Sequence, residues 1–504
     1  GSYNKYKGQY CTHNELLINK ILKGAWGFDG VLVTDWGAAH DTREAALNGL
    51  DIEMGTGTDG LISSTENAYD HYYLAKPFLK LLESGEIDES VVDDKVRRIL
   101  RLMFRTTMNT ARPLGSKASQ AHFDVAREVA QQGIVLLKNH REFFPIDPNT
   151  NQTIAVIGEN ATRMMTIGGG SSELKTVHEI SPLQGIRKRF ANATIVHVIG
   201  YVSGPSVYNR AVPSSVNADS LRNEALQIAA KADIVLFVGG LNKNHHQDCE
   251  NGDRLRYHLP FGQDDLLKEL LKVNKNVGVI LVSGNAVAMP WISDVNAVMQ
   301  AWYLGSEGGN AIADVISGDV NPSGKLPFTF PMKLEDNGAH SFDAFSYPGN
   351  GTNQEYKEDI LVGYRWHDTK KIKPLFEFGY GLSYTTFKIQ KAIADKSSYG
   401  KNDVIKLSVE LSNTGKKAGE EVVQIYSNDL RASVLRPLKE LKAFKKVMLT
   451  PGESKILELK IPVSALAFYD EGKGAWNLEA GRFKLMVGTS SRDIKKVIPI
   501  DVRE

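Results

Sequence analysis

Asp35 closes the run Val31-Leu-Val-Thr34 and is followed by Trp36. A short, continuously apolar run reads as a buried strand of the parallel kind, and a carboxylate at its C-terminal end faces whatever binds there. Ionised, such a group can attack an electrophilic carbon; the plainer reading is a loop or N-cap aspartate. A second concentration of chemistry-bearing side chains is Asn242-Lys-Asn-His-His-Gln-Asp-Cys-Glu-Asn-Gly-Asp-Arg254. It holds Asp248, Glu250 and Asp253 and directly follows the apolar run 234–238, again at a strand's C-terminal end.

The elements that must position these groups follow from periodicity. Apolar spacing predicts a helix over 14–25, a break at Gly27-Phe-Asp-Gly30, the strand 31–34, and helices over 41–49, 72–84 and 91–104. A second α/β unit opens with a helix over 123–133. Buried strands are expected at 134–137, 153–157, 195–198, 234–238 and 277–282, with helices at 220–231 and 262–273, the pattern of a doubly wound sheet. Residues 334–355 read as loop. From Lys388 the pattern alternates, with strands expected at 405–411, 421–427, 454–461 and 481–487, which suggests a small β-sandwich.

The bulk numbers exclude some functions. Sixty Lys and Arg against 59 Asp and Glu leave no net field to recruit nucleic acid or an anionic membrane. No apolar run reaches the roughly 18 residues of a membrane span. At 504 residues the chain should form several domains. Cys11 and Cys249 are its two cysteines, too few for a disulfide scaffold or a four-cysteine zinc site.

Four stretches together resemble family 3 glycoside hydrolases: Trp26-Gly-Phe-Asp-Gly-Val-Leu-Val-Thr-Asp-Trp36; Gly133-Ile-Val-Leu-Leu-Lys138; Ala301-Trp-Tyr-Leu-Gly-Ser-Glu-Gly-Gly309 through Asn321-Pro-Ser-Gly-Lys-Leu-Pro327; and Phe378-Gly-Tyr-Gly-Leu-Ser-Tyr384. The resemblance implies a multidomain α/β plus β fold. Residues 1–112 would be the C-terminal part of a (β/α)8-type barrel and 113–121 a linker. An α/β sandwich would span 122–333, a connector 334–387, and a fibronectin type III-like β-sandwich 388–504. It implies a retaining, exo-acting β-glucosidase working on β-linked glucosides or oligosaccharides through a covalent glycosyl-enzyme, with no cofactor or metal. Periplasmic or secreted location is expected on the same ground.

By resemblance Asp35 is the nucleophile and Glu250 the acid/base, with Asp248 as runner-up because Glu-Asn-Gly-Asp-Arg departs from the commoner Glu-Gly-x-Asp-Arg. Tyr3, Trp36 and Met54 resemble substrate-binding positions; ordinary strand or core roles stand beside each. Asp253 and Arg254 are expected to pin the loop as an ion pair. His245, His246, Asp248 and Cys249 have metal-ligand atoms, but neighbours on a short loop seldom converge on one ion. A Cys11–Cys249 disulfide would staple the loop; two free thiols are the plainer reading. Gly168-Gly-Gly-Ser-Ser172 imitates a nucleotide loop without either phosphate-binding pattern. Asn192-Ala-Thr194 fits a glycosylation sequon.

The family's barrel is expected to begin upstream of Gly1. Half a barrel would leave unpaired strand edges, so a second polypeptide or a separate front segment is expected. A β-xylosidase, and a non-catalytic carbohydrate-binding remnant, are the alternatives; a nucleotide-binding protein fails on its motifs.

Overall fold

Val135–Asn139 (β1), Thr153–Ile157 (β2), Thr194–Val198 (β3), Ile234–Gly240 (β4), Val277–Val282 (β5) and Ala297–Gln300 (β6) lie side by side in the order β1-β6-β5-β4-β2-β3. All neighbours run parallel except β1, which is antiparallel to β6. The computed structural model describes residues 1–54, 68–207 and 210–503, and these divide into two units, Gly1–Lys117 and Ala118–Glu504.

The sheet of the larger unit is apolar on both faces because helices cover both. Ala218–Ala229 and Gln263–Val273 supply Ala225, Leu266 and Leu270 to one core. Pro182–Arg189 and Gly308–Ser317 supply Ile186, Ile312 and Val315 to the other. Strand order reverses between β2 and β4, where a doubly wound sheet leaves a crevice. Gly158 stands there with φ +131°, and a Cβ on it would lie 2.1 Å from the Val238 carbonyl oxygen. No side chain fits.

The β-sandwich pairs a three-stranded sheet, Ser454–Pro462, Val404–Asn413 and Phe387–Ala394, with a five-stranded one. Leu407, Val409 and Leu411 point inward on the alternating pattern that the sequence carries. Lys325 meets Glu421 at 2.7 Å and ties the sandwich to the α/β part. The expected connector is not all connector. Tyr364–Thr369 is a helix, Leu382 donates its N–H to the Leu136 carbonyl at 2.8 Å, and Phe376 bridges Phe330. Its second half is therefore an edge of the α/β part. The expected linker also ends early, since the helix Gln120–Gly133 starts from Ser119.

In the smaller unit the helices are Leu16–Ala25, wound as a π-helix, then Thr42–Leu47, Lys76–Glu83 and Ser90–Arg105. Arg105 grips Asp29 through two bonds of 2.8 and 2.7 Å, and Arg98 reaches the Phe28 and Gly30 carbonyls at 3.1 Å. These fix the turn that feeds residues 31–34. The expected buried strand there is a correction: Val33 makes a single parallel bridge to Ile52, and Val31, Leu32 and Val33 are only half-buried. The Leu32 N–H goes to the Asp51 carboxylate at 2.8 Å instead of to a second strand.

Candidate active site

Asp35 begins where that bridge ends. Thr34, just before it, is buried, and its hydroxyl takes the Met54 N–H at 2.7 Å. The Asp35 carboxylate accepts the Trp36 N–H at 2.7 Å and is otherwise open to solvent. It caps no helix: the nearby helix Thr42–Leu47 is capped by Asp41, which takes the Glu44 N–H at 2.8 Å. The capping role is thus excluded for Asp35. Trp36 is 52% exposed and Tyr3 53%, so neither is a core residue, and Met54 is half-buried. Residues 55–67 lie outside the described residues.

Beneath this surface is an ionic support that the sequence did not disclose. Asp51 is buried, binds Lys23 at 2.7 Å and anchors Leu32. Lys95, also buried, gives its ammonium hydrogens to the Leu50 and Ala45 carbonyls, at the end of the helix Thr42–Leu47. Burial pulls Lys95 down to about 8 and lowers Lys23 as well. Burial likewise raises Glu53, whose carboxylate takes the Leu74 N–H at 2.8 Å.

In the larger unit the segment 241–254 leaves the crevice from the end of β4. Gln263 clamps Gly240 through both backbone groups, at 2.7 and 2.8 Å, and Asn160 holds the Leu241 carbonyl at 2.9 Å. Arg163 then bonds Glu159 at 3.0 Å, Ser203 at 2.8 Å and Asn244. These buried polar contacts hold the start of the segment in place.

Asp248 and Glu250 line the same cavity but are held differently. Asp248 accepts the Gly284 N–H at 2.6 Å, the Asn285 amide at 3.0 Å and the Tyr303 hydroxyl at 2.8 Å. It is fully engaged in tying the segment to the end of β5. Burial and the Asp248 charge push Tyr303 well above its ordinary range. Glu250 is exposed on a cavity of about 580 Å³ that it shares with Arg254, Tyr257, Asn285, His340 and Tyr347. One carboxylate oxygen takes the Ser171 N–H at 2.6 Å, and its own N–H goes to the Gly169 carbonyl at 3.0 Å.

One expectation is corrected here. Arg254 does not pair with Asp253: it donates to Asn285 at 2.7 Å and to the Ala286 carbonyl at 2.8 Å, because its chain turns inward toward β5. Burial lowers Arg254, and the charge of Asp248 opposes that. Cys11 and Cys249 are both free thiols, Cys249 lying 3.7 Å from the Gly252 carbonyl. His245 packs on His246 at 4.0 Å, and the His246 ring lies 3.1 Å from the Asp253 carbonyl. Among the described residues no three His, Cys, Asp or Glu side chains are grouped to hold a metal ion.

The smaller unit thus offers a solvent-open carboxylate after a strand-like segment, and the larger unit, by itself, a carboxylate on a cavity at the end of a parallel sheet. Comparison supplies the family. Residues 2–102 match the model of the glycosyl hydrolase family 3 N terminal domain, 134–384 that of the family 3 C-terminal domain, and 421–491 a fibronectin type III-like domain. The chain is 52% identical to Beta-glucosidase BoGH3A of Bacteroides ovatus, over 99% of this chain and 68% of that protein. It is 36% identical to Thermostable beta-glucosidase B of Acetivibrio thermocellus, covering 98% and 61%. A crystal structure of a GH3 beta-glucosidase from Bifidobacterium adolescentis superposes with a TM-score of 0.86 at 32% identity, over 99% of this chain and 69% of that one. The chain belongs to glycosyl hydrolase family 3. The expected second polypeptide or separate front segment finds no support, since the N terminal domain model itself matches within this chain.

Proposed function

We propose that this protein is a retaining, exo-acting β-glucosidase, with Asp35 as nucleophile and Glu250 as acid/base. The observation that carries the reading is the contrast between Glu250 and Asp248 on one cavity: Glu250 is exposed there, whereas Asp248 is half-buried and consumed by three hydrogen bonds. Family membership and the activity printed for the relatives support it.

In the first step the ionised Asp35 attacks the anomeric carbon as the glycosidic C–O bond breaks, and Glu250 gives its proton to the departing oxygen. In the second step Glu250, now a carboxylate, takes a proton from water. The water oxygen bonds the anomeric carbon and Asp35 leaves. Two inversions return the β-configuration. Retaining enzymes hold the two carboxyl groups about 5–5.5 Å apart for this. Trp36 and Tyr3, as exposed rings, would offer faces for stacking against the sugar, and Met54 would line the pocket.

The test is hydrolysis of an aryl β-glucoside followed by proton NMR. First-formed β-glucose supports the reading. First-formed α-glucose, or release of internal fragments from an oligosaccharide, overturns it.

A further inference from the structure

The glycine-rich segment that imitates a nucleotide loop has a different job. We propose that residues 168–172 are the positioning element of the Glu250 carboxyl group, with the Ser171 amide as the donor that holds it. The proposal rests on the functional reading above.

Gly168, Gly169 and Gly170 have φ of +87°, +87° and +94° in succession. L-residues with side chains rarely adopt such angles, so only glycine builds this turn without strain. Space is limited as well. A Cβ on Gly168 would lie 2.5 Å from the Ser206 hydroxyl oxygen, and one on Gly169 2.9 Å from Lys243 Cδ. The turn is also closed on itself, with the Leu174 N–H on the Thr166 carbonyl at 2.8 Å and the Glu173 N–H on Gly170 at 3.1 Å. Behind it Glu179 takes the Met165 N–H at 2.6 Å. A rigid backbone surface results, and Glu250 sits on it through two backbone groups, Gly169 C=O and Ser171 N–H.

The placement suits a group that cycles between acid and carboxylate. As Glu250 releases its proton to the glycosidic oxygen, negative charge develops where the Ser171 N–H already points. A hydrogen bond to a charged acceptor is roughly twice as strong as a neutral one, so the amide favours proton departure. The same bond keeps the carboxylate aimed while it takes the proton of water in the second step. Gly169 and Ser171 touch no reacting atom; they act through Glu250.

Gly169→Ala and Ser171→Pro test this separately, the first by shifting the turn and the second by deleting the amide hydrogen. Melting temperatures establish that each variant is folded. The readout is kcat/KM on two substrates: 2,4-dinitrophenyl β-glucoside, whose leaving group departs unprotonated, and methyl β-glucoside, whose leaving group needs the proton. The expected result is a loss of about 10-fold or more on the methyl glucoside against about threefold or less on the dinitrophenyl glucoside. Equal losses on both substrates, or none on either, overturn the proposal. A wild-type protein inactive on both glucosides overturns the functional reading, and this inference falls with it.

Discussion

Tyr303 donates its hydroxyl hydrogen to Asp248 at 2.8 Å, on the same carboxylate oxygen that takes the Gly284 N–H at 2.6 Å. The pair makes Asp248 a strut of the loop, and in the proposed mechanism the exposed Glu250 is the carboxyl that trades protons with a substrate. Tyr303→Phe should therefore cost about 1–3 kcal/mol of unfolding free energy by leaving a half-buried carboxylate short of a donor. Its leaving-group dependence should stay that of the wild type. Glu250→Gln should do the reverse, slowing poor leaving groups by about 10²–10⁴ with little change in stability. Urea unfolding and kcat/KM across a leaving-group series measure both.

Lys95 makes stability depend on pH in a fixed direction. Its folded pKa of about 8 lies below the ordinary 10.5, so between these values the unfolded chain binds the extra proton. The contribution of Lys95 to stability then rises as pH climbs from about 8 to 10.5, by about 3 kcal/mol in the limit. Below pH 8 both states hold the proton and the cost is constant. Lys95→Met should flatten that rise. Melting temperatures of the two proteins across the window check it; parallel curves would contradict it.

Asp51 and Lys23 are nearly inaccessible, with side-chain exposures of 1% and 9%. Asp51→Ala strands a buried ammonium and frees the Leu32 N–H, so a loss of about 3–5 kcal/mol is expected. Lys23→Met with Asp51→Leu should recover much of it, because an apolar pair removes the unpaired charge. Denaturant unfolding of the single and double variants decides this.

What could be read from the sequence depended on how each element is buried. Thr153–Ile157 and Val277–Val282 fall where their apolar runs fall, because helices cover both faces of the sheet. Ala297–Gln300 escaped notice: it is four residues long and ends on a buried glutamine. Glu440–Leu449 was hidden by three lysines on a strand whose faces are mostly half-exposed. Gly308–Ser317 was not expected as a helix: it opens with two glycines, and the close passage of Ser181 and Gly185 beside Gly309 explains the second of them. Asp35 and the segment bearing Glu250 stood out at the ends of apolar runs, but their roles were assigned only through a family likeness. The Ser171–Glu250 bond joins residues 79 apart, and no local periodicity encodes such a contact. Arg254 was assigned to its sequence neighbour, whereas its partners lie 31 and 32 residues on.

The central claim is that Asp35 forms the covalent bond to sugar. Incubation with a 2-deoxy-2-fluoro-β-glucoside carrying an activated leaving group should slow release of the glycosyl-enzyme enough to digest and map it by mass spectrometry. The account predicts one added fluoroglucosyl group on the peptide containing Thr34-Asp35-Trp36, absent in Asp35→Ala. The label on any other carboxylate, or turnover with no trapped species in an active wild-type protein, would contradict it.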